Sequence, residues 1–100
     1  DRVVWMKLPD VNGRAAILRY YLKPLKMEPG IDIDALVTEL ATATDGASGA
    51  DLEYLCHTAA RLCVKEAVSH SAPPDDLTIS NDYFEMALVS VGYVAIDMVR

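Results

Sequence analysis

The fold is decided by one stretch, Asp45-Gly46-Ala47-Ser48-Gly49-Ala50-Asp51-Leu52, because it holds the end of one helix and the start of the next. Gly46 predicts the helix end, since the residue that follows a helix often has a positive φ, which glycine adopts without steric cost. Ser48 predicts the next N-cap, because its hydroxyl can accept the amide of Asp51 and the Asp51 carboxylate can accept in return.

Gly49 and Ala50 then begin the new helix with free amides, a positive dipole end and almost no side-chain bulk. A flat ligand ring or another backbone can approach such a place closely. From spacing alone, a plain corner between two helices is the commoner explanation, because capped corners occur in most helical proteins.

Composition limits the classes of protein that fit. The chain has 100 residues, of which 52% are hydrophobic, so it forms one small domain or a piece of a larger protein. It begins with Asp1 rather than Met, and we therefore expect an excised segment. The net charge of −6 argues against non-specific binding to nucleic acid or to acidic membranes. Within these 100 residues, no apolar run reaches membrane-spanning length and no stretch has the pattern of a signal peptide.

Four amphipathic helices are predicted from N-caps and apolar periodicity. The first runs from the N-cap Asp10 to about Leu22, and Pro24 prevents its continuation. The others follow Asp32, Ser48 and Ser80, with the third reaching about Ser69 and the fourth interrupted at Gly92. The predicted buried stripes are Val11, Ala15, Leu18 and Leu22; Ile33, Leu36, Val37 and Leu40; Leu52, Leu55, Cys56, Ala59, Leu62, Cys63 and Ala67; and Phe84, Ala87, Leu88 and Val91. Helices with short connections pack as a small all-α bundle.

The N-terminal stretch from Arg2 to Leu8 is rich in β-branched and aromatic residues, which predicts a short strand. No later segment offers it a partner strand, and a lone strand cannot satisfy its own backbone groups. We therefore expect it to belong to a sheet of a preceding domain. Between the helices, Met27 is expected to hold the first linker to the core, and 77–79 to be extended.

Cys56 and Cys63 lie two turns apart on the third predicted helix, so their Cα atoms are roughly 10 Å apart, beyond disulfide reach. Small buried thiols are the expected interpretation, and free thiols favour an intracellular protein. A zinc site of Cys56, His57 and Cys63 is the alternative, but His57 points to a different face and a fourth ligand is missing. We expect no metal site.

Nothing in the bundle itself is typical of a catalytic site, and the Gly-x-x-x-x-Gly-Lys phosphate loop is absent. Several short sequence patterns are nevertheless informative because of the order in which they occur along the chain. They are Asp1-Arg2, Leu8-Pro9-Asp10, Gly13-Arg14, Ile17-Leu18, Gly46-x-Ser48-Gly49-Ala50-Asp51-Leu52, Ala59-Ala60 and Asp82-x-Phe84-x-x-Ala87-Leu88.

This ordered set resembles the C-terminal helical lid of AAA ATPases, with the last strand of the large ATPase domain attached. Within that family it looks most like the second ring of valosin-containing protein, and next like FtsH-type proteases and proteasomal ATPases. The resemblance implies that 1–9 is the last strand of the missing large ATPase domain, 10–92 the helical lid, and 93–100 a C-terminal turn or tail.

The resemblance also implies site residues. In the family the lid closes over the adenine end of ATP, and the positions that match this contact are Ile17, Tyr21, Gly49 and Ala50. The family often has His where this chain has Tyr21, whose ring or hydroxyl can serve instead. Ala50 stands where many relatives place a phosphate-sensing arginine, so no such arginine is expected. Arg2 matches an arginine that reaches into the neighbouring subunit's ATP site and acts there in trans.

By the same resemblance, the segment belongs to a ring-forming ATPase that couples ATP binding and hydrolysis to the remodelling or unfolding of protein substrates. Its cofactor is ATP or ADP with Mg²⁺ in the parent protein, whereas the fragment alone lacks the phosphate loop and should be inactive. The implied partners are the large ATPase domain of the same chain, neighbouring subunits of a homo-hexamer, and a protein substrate.

The alternative of another class is a stand-alone helical protein-interaction module that receives a partner peptide in an apolar groove. The unpaired strand argues against it, since a self-contained module has no use for such a strand. A helical DNA-binding domain is disfavoured by the net charge.

Overall fold

The computed structural model describes residues 7–71 and 77–94, and these form four helices. They are α1 (Val11–Leu22), α2 (Ile33–Ala43), α3 (Gly49–Ser69) and α4 (Asn81–Val91). The predicted all-α bundle is therefore confirmed. Most of the predicted N-terminal strand, including Arg2, lies outside the described residues, and Lys7 and Leu8 are exposed and without regular secondary structure.

Side-chain caps set three of the four helix starts. The Asp10 carboxylate accepts the amide of Gly13 at 2.8 Å, and that of Asp32 accepts the amide of Ala35 at 3.1 Å. Ser48 and Asp51 form the predicted reciprocal capping box. Ser80 has the backbone of an N-cap, but its side chain makes no capping hydrogen bond, so that part of the prediction is wrong.

The core lies along α3, which contacts α1 on one side and α4 on the other, while α1 also packs on α2. Its largest fully buried side chains include Phe84, Leu18, Leu40, Leu52 and Leu55. Removing such side chains from water is the main favourable term in folding. Within the described residues, no helix is both long enough and apolar enough to cross a membrane.

The predicted stripe of α1 is wrong at its first position. Val11 is 45% exposed, and Arg14 is buried with Leu18 and Leu22 instead. Val11 lies in the first turn, beyond the edge of the core, whereas Arg14 faces α2 and satisfies its guanidinium there. On α3, Leu62 is only half-buried, and Thr58 is buried although periodicity omitted it.

Two linkers meet in a parallel bridge between Met27 and Ile79. The amide of Glu28 donates to Ile79 O at 3.0 Å, and the amide of Ile79 donates to Lys26 O at 2.9 Å. Met27 packs against the core, as its place in the linker predicted. The bridge joins segments far apart in sequence, so it fixes the α1–α2 linker to the segment that leads into α4.

Candidate functional site

The corner between α2 and α3 is held by backbone and side-chain bonds. Gly46 has a φ of 85°, the left-handed conformation that its sequence position predicts. Thr44 donates its hydroxyl to Leu40 O at 2.8 Å, and Ala47 is buried. These contacts fix the position of Ser48, and hence the direction in which α3 begins.

The Gly49–Ala50 step is partly open to solvent, because Gly49 is half-buried. Ala50 is exposed, and a Cβ placed on Gly49 would meet nothing nearer than Ile17 Cδ1, at 3.9 Å. That distance is an ordinary van der Waals contact, so the glycine faces α1 across a narrow apolar gap. The structure thus brings two of the four predicted contact residues, Ile17 and Gly49, together across α1 and α3.

Tyr21 lies one turn beyond Ile17 on the same edge of α1. Its ring makes edge contacts with His57 on α3, with the centroids 6.4 Å apart, and with Tyr20, at 5.0 Å. Partial burial, followed by the charge of Glu53, raises the pKa of Tyr21 above its ordinary value. The phenol is therefore neutral at physiological pH. Among the described residues none hydrogen-bonds its hydroxyl, which leaves a donor for a ligand.

His57 and Glu53 were not predicted as part of this surface. From the sequence, His57 was considered only as a zinc ligand, and Glu53 was given no role at a site. Glu53 follows Gly49 on α3 by one turn and His57 by two turns, so their proximity to Tyr21 depends on how α1 packs against α3. Helical spacing marks them as neighbours of Gly49, but it cannot show which helix lies beside them.

The surface offers groups that a planar, partly apolar ligand could contact. Ile17 offers an aliphatic side chain, and Tyr21 offers a ring with a free hydroxyl. Gly49 and Ala50 form a helix N-terminus that has little side-chain bulk and free amides. A purine fits this donor set, since its faces are apolar and its edge nitrogens accept hydrogen bonds. The role of these four residues in nucleotide binding stays a prediction. Arg2 lies outside the described residues.

The geometry does not assemble the alternative zinc site. Cys56 and Cys63 are free and buried, whereas His57 is exposed on another face. Burial raises the pKa of the Cys56 thiol to about 12, and burial with the nearby Glu66 charge raises that of Cys63. In residues 7–71 and 77–94, no cluster of three His, Cys, Asp or Glu side chains could hold a metal ion.

Comparison with known proteins gives an independent result. Residues 32–78 match the family model of the AAA+ lid domain. A mitochondrial inner membrane m-AAA protease component of Mus musculus is 34% identical over 91 residues, which are 91% of this chain and 10% of that protein.

Two further relatives come from prokaryotes. The ATP-dependent zinc metalloprotease FtsH of Lancefieldella parvula is 39% identical over 82% of this chain, and the match spans 12% of that protein. The proteasome-activating nucleotidase of Saccharolobus solfataricus is 36% identical over 66% of this chain and 16% of that protein. The chain thus spans 10–16% of the length of these three relatives.

Proposed function

The chain is a member of the AAA+ lid domain family, and from this premise we propose that it is the lid of a ring-forming AAA ATPase. Hydrolysis of ATP by the full-length protein would drive the remodelling or unfolding of protein substrates. The lid would follow the nucleotide state by changing its angle to the large ATPase domain. We place its boundaries at 10 and 92, and the protein inside the cell, which its free thiols favour.

One observation carries this proposal: a helix start almost free of bulk faces the aliphatic side chain of Ile17, one turn before the partly exposed Tyr21 on the same edge of α1. Ile17, Tyr21, Gly49 and Ala50 would contact the adenine end of ATP or ADP, with Mg²⁺ held by residues of the large domain. The relatives named as ATP-dependent or as a nucleotidase support a nucleotide as the ligand. The remaining partners proposed are neighbouring subunits of a homo-hexamer, into whose site Arg2 would reach.

The test uses the full-length protein and the variant Gly49→Val. A branched side chain at this step would extend into the gap toward Ile17 and exclude the base, so we expect the KM for ATP to rise about tenfold or more, equivalent to about 1.4 kcal/mol of binding. The matched control is Asn81→Val, which puts the same residue at the same first position of α4, away from α1. Its KM should stay within about twofold of the wild type.

Equal KM values for the two variants would contradict the proposed nucleotide contact. A full-length protein that hydrolyses no ATP would contradict the whole assignment and favour the helical interaction module. The 100-residue chain alone should hydrolyse no ATP, and tight stoichiometric binding of ATP by it would also contradict the proposal.

A further inference from the structure

One side of α3 carries apolar side chains that the bundle leaves uncovered. Tyr54 is 54% exposed, Val64 47% and Val68 71%. Together with Arg61 they are spaced seven, three and four residues apart, so all four lie along one side of the helix. A single exposed hydrophobic side chain is ordinary, but a row of them at heptad spacing is the pattern by which one helix packs against another. We call this row, with Lys65 beside it, the outer stripe of α3.

The outer stripe also carries two cations, Arg61 and Lys65, which are exposed and one turn apart. Like charges four residues apart destabilise a helix, and within residues 7–71 and 77–94 no acidic side chain forms an ion pair with either of them. The Cζ of Arg61 lies 5.8 Å from the centroid of the Tyr54 ring, and a terminal nitrogen donates to the Thr58 hydroxyl at 3.4 Å. Neither contact neutralises the charge, so both cations are available to carboxylates from outside the bundle.

The charge of the stripe determines which partner fits it. Glu66, the acidic neighbour of Lys65 on α3, accepts a hydrogen bond from the Tyr83 hydroxyl on the α4 side. A second copy of this chain fits poorly, because Arg61 lies midway between Tyr54 and Val68, and antiparallel packing of two stripes would bring the two arginines together. A helix with apolar residues at heptad spacing and carboxylates beside them matches the stripe in both pattern and charge.

We propose that the outer stripe of α3 is a docking surface for an acidic amphipathic helix of a partner protein. Apolar residues of that helix pack on Val64, Val68 and the ring of Tyr54, and its carboxylates pair with Arg61 and Lys65. The inference goes beyond the proposed function and does not depend on nucleotide binding, since no residue of the stripe is among the four proposed nucleotide contacts.

The experiment measures the binding of two synthetic helical peptides to the full-length protein by fluorescence anisotropy. The first probe has leucine at the first and fourth positions of each heptad and glutamate at the flanking positions, so that its own charges keep its copies apart. The second has lysine in place of each glutamate. One protein variant combines Arg61→Glu with Lys65→Glu, which keeps a like-charge pair on the helix while reversing its sign. The other combines Val64→Ser with Val68→Ser.

Each variant has a matched control outside the stripe. Lys7→Glu with Lys23→Glu reverses two exposed cations and changes the net charge equally. Val11→Ser with Met86→Ser shortens two apolar side chains of comparable exposure, 45% and 46%. Circular dichroism compares the helix content of all four variants with that of the wild type.

We expect the wild type to prefer the glutamate probe, and the charge reversal to raise the Kd for this probe about tenfold while the lysine probe gains affinity. An unfolded variant could not produce that gain. The valine variant should bind the glutamate probe about tenfold more weakly, and both controls should stay within about twofold of the wild type.

Three results would overturn the inference. The first is that the wild type binds neither probe, or binds both equally. The second is that the controls lose as much affinity as the stripe variants. The third is that the stripe variants dissociate an oligomer in analytical ultracentrifugation, or abolish binding of the wild type to phosphatidylserine vesicles, which would assign the stripe to contacts between subunits or to a membrane.

Discussion

The side of α3 that faces α4 and the side that faces α1 differ in how completely they are covered. On the side of α4, Phe84 is completely buried, and at the rim the hydroxyl of Tyr83 donates to the carboxylate of Glu66. On the side of α1, Gly49 faces Ile17 across a gap, and Tyr21 keeps an unused hydroxyl. One side is closed by a large ring and a satisfied tyrosine, whereas the other is left accessible. If the proposed function is right, the α4 side of α3 serves stability, and the accessible part of the α1 side serves a ligand.

The largest expected effect lies on the closed side. Phe84→Ala removes a fully buried ring and leaves a cavity, so the free energy of unfolding should fall by about 3–5 kcal/mol. Urea denaturation followed by circular dichroism measures it. Met86→Ala is the matched control, because Met86 is exposed on the same helix, and its change should stay within about 0.5 kcal/mol. A comparable loss in both variants would show that the α4 side is not the stabilising one.

A smaller effect is expected from two glycines at the corner that leads into α3, Gly46 and Gly49. Gly46 has a φ of 85°, so Gly46→Ala should cost about 1–2 kcal/mol of stability. Gly49 is helical and a Cβ there would find room, so Gly49→Ala should change stability by less than about 0.5 kcal/mol. The same denaturation experiment compares them. A loss at Gly49 as large as that at Gly46 would mean that its smallness serves the fold rather than a ligand.

The smallest effect concerns Tyr83 at the rim of the closed side. The hydrogen bond to Glu66, followed by burial, raises the pKa of Tyr83 from 10.0 to about 12. Because the folded state holds the proton more tightly, this contribution to stability is complete below pH 10 and is lost as the pH rises toward 12. Tyr83→Phe should cost about 0.5–1 kcal/mol at pH 7, and should lose less additional stability than wild type between pH 9 and pH 11.

The measurement for Tyr83 is urea denaturation at the two pH values, with Tyr20→Phe as the control. Tyr20 is 70% exposed, so its variant should follow the wild type at both pH values. The buried Cys56, whose pKa also rises to about 12, destabilises all three proteins alike in alkali and cancels in the comparison. An identical pH dependence of Tyr83→Phe and wild type would contradict the role assigned to the Glu66 contact.

Local rules predicted most of the helix boundaries. Asp10, Asp32 and Ser48 are caps because each side chain reaches an amide three residues ahead, which depends on the backbone alone. The αL conformation of Gly46 follows in the same way. The cap prediction was wrong only for Ser80. Its backbone has the conformation of an N-cap, but its hydroxyl makes no hydrogen bond to the helix.

These local rules could not predict contacts between segments that are distant in sequence. Periodicity placed Val11 in the core and left Arg14 out, since a charged side chain is ordinarily exposed unless its partners are known. Those partners, Pro9 O and Ala41 O, come together only when α1 packs on α2. The edge contact of Tyr21 with His57 was missed for the same reason.

By itself, the sequence determined the four helices, three of their side-chain caps, the small residues at the start of α3, and a pattern typical of an AAA lid, because all of these depend on residues within a few positions of each other. Only the tertiary structure decided that Gly49 lies beside Ile17, that His57 reaches Tyr21, and that Arg14 locks Pro9 to α2. Those pairs are set by how the helices pack, and many packings share one helical pattern.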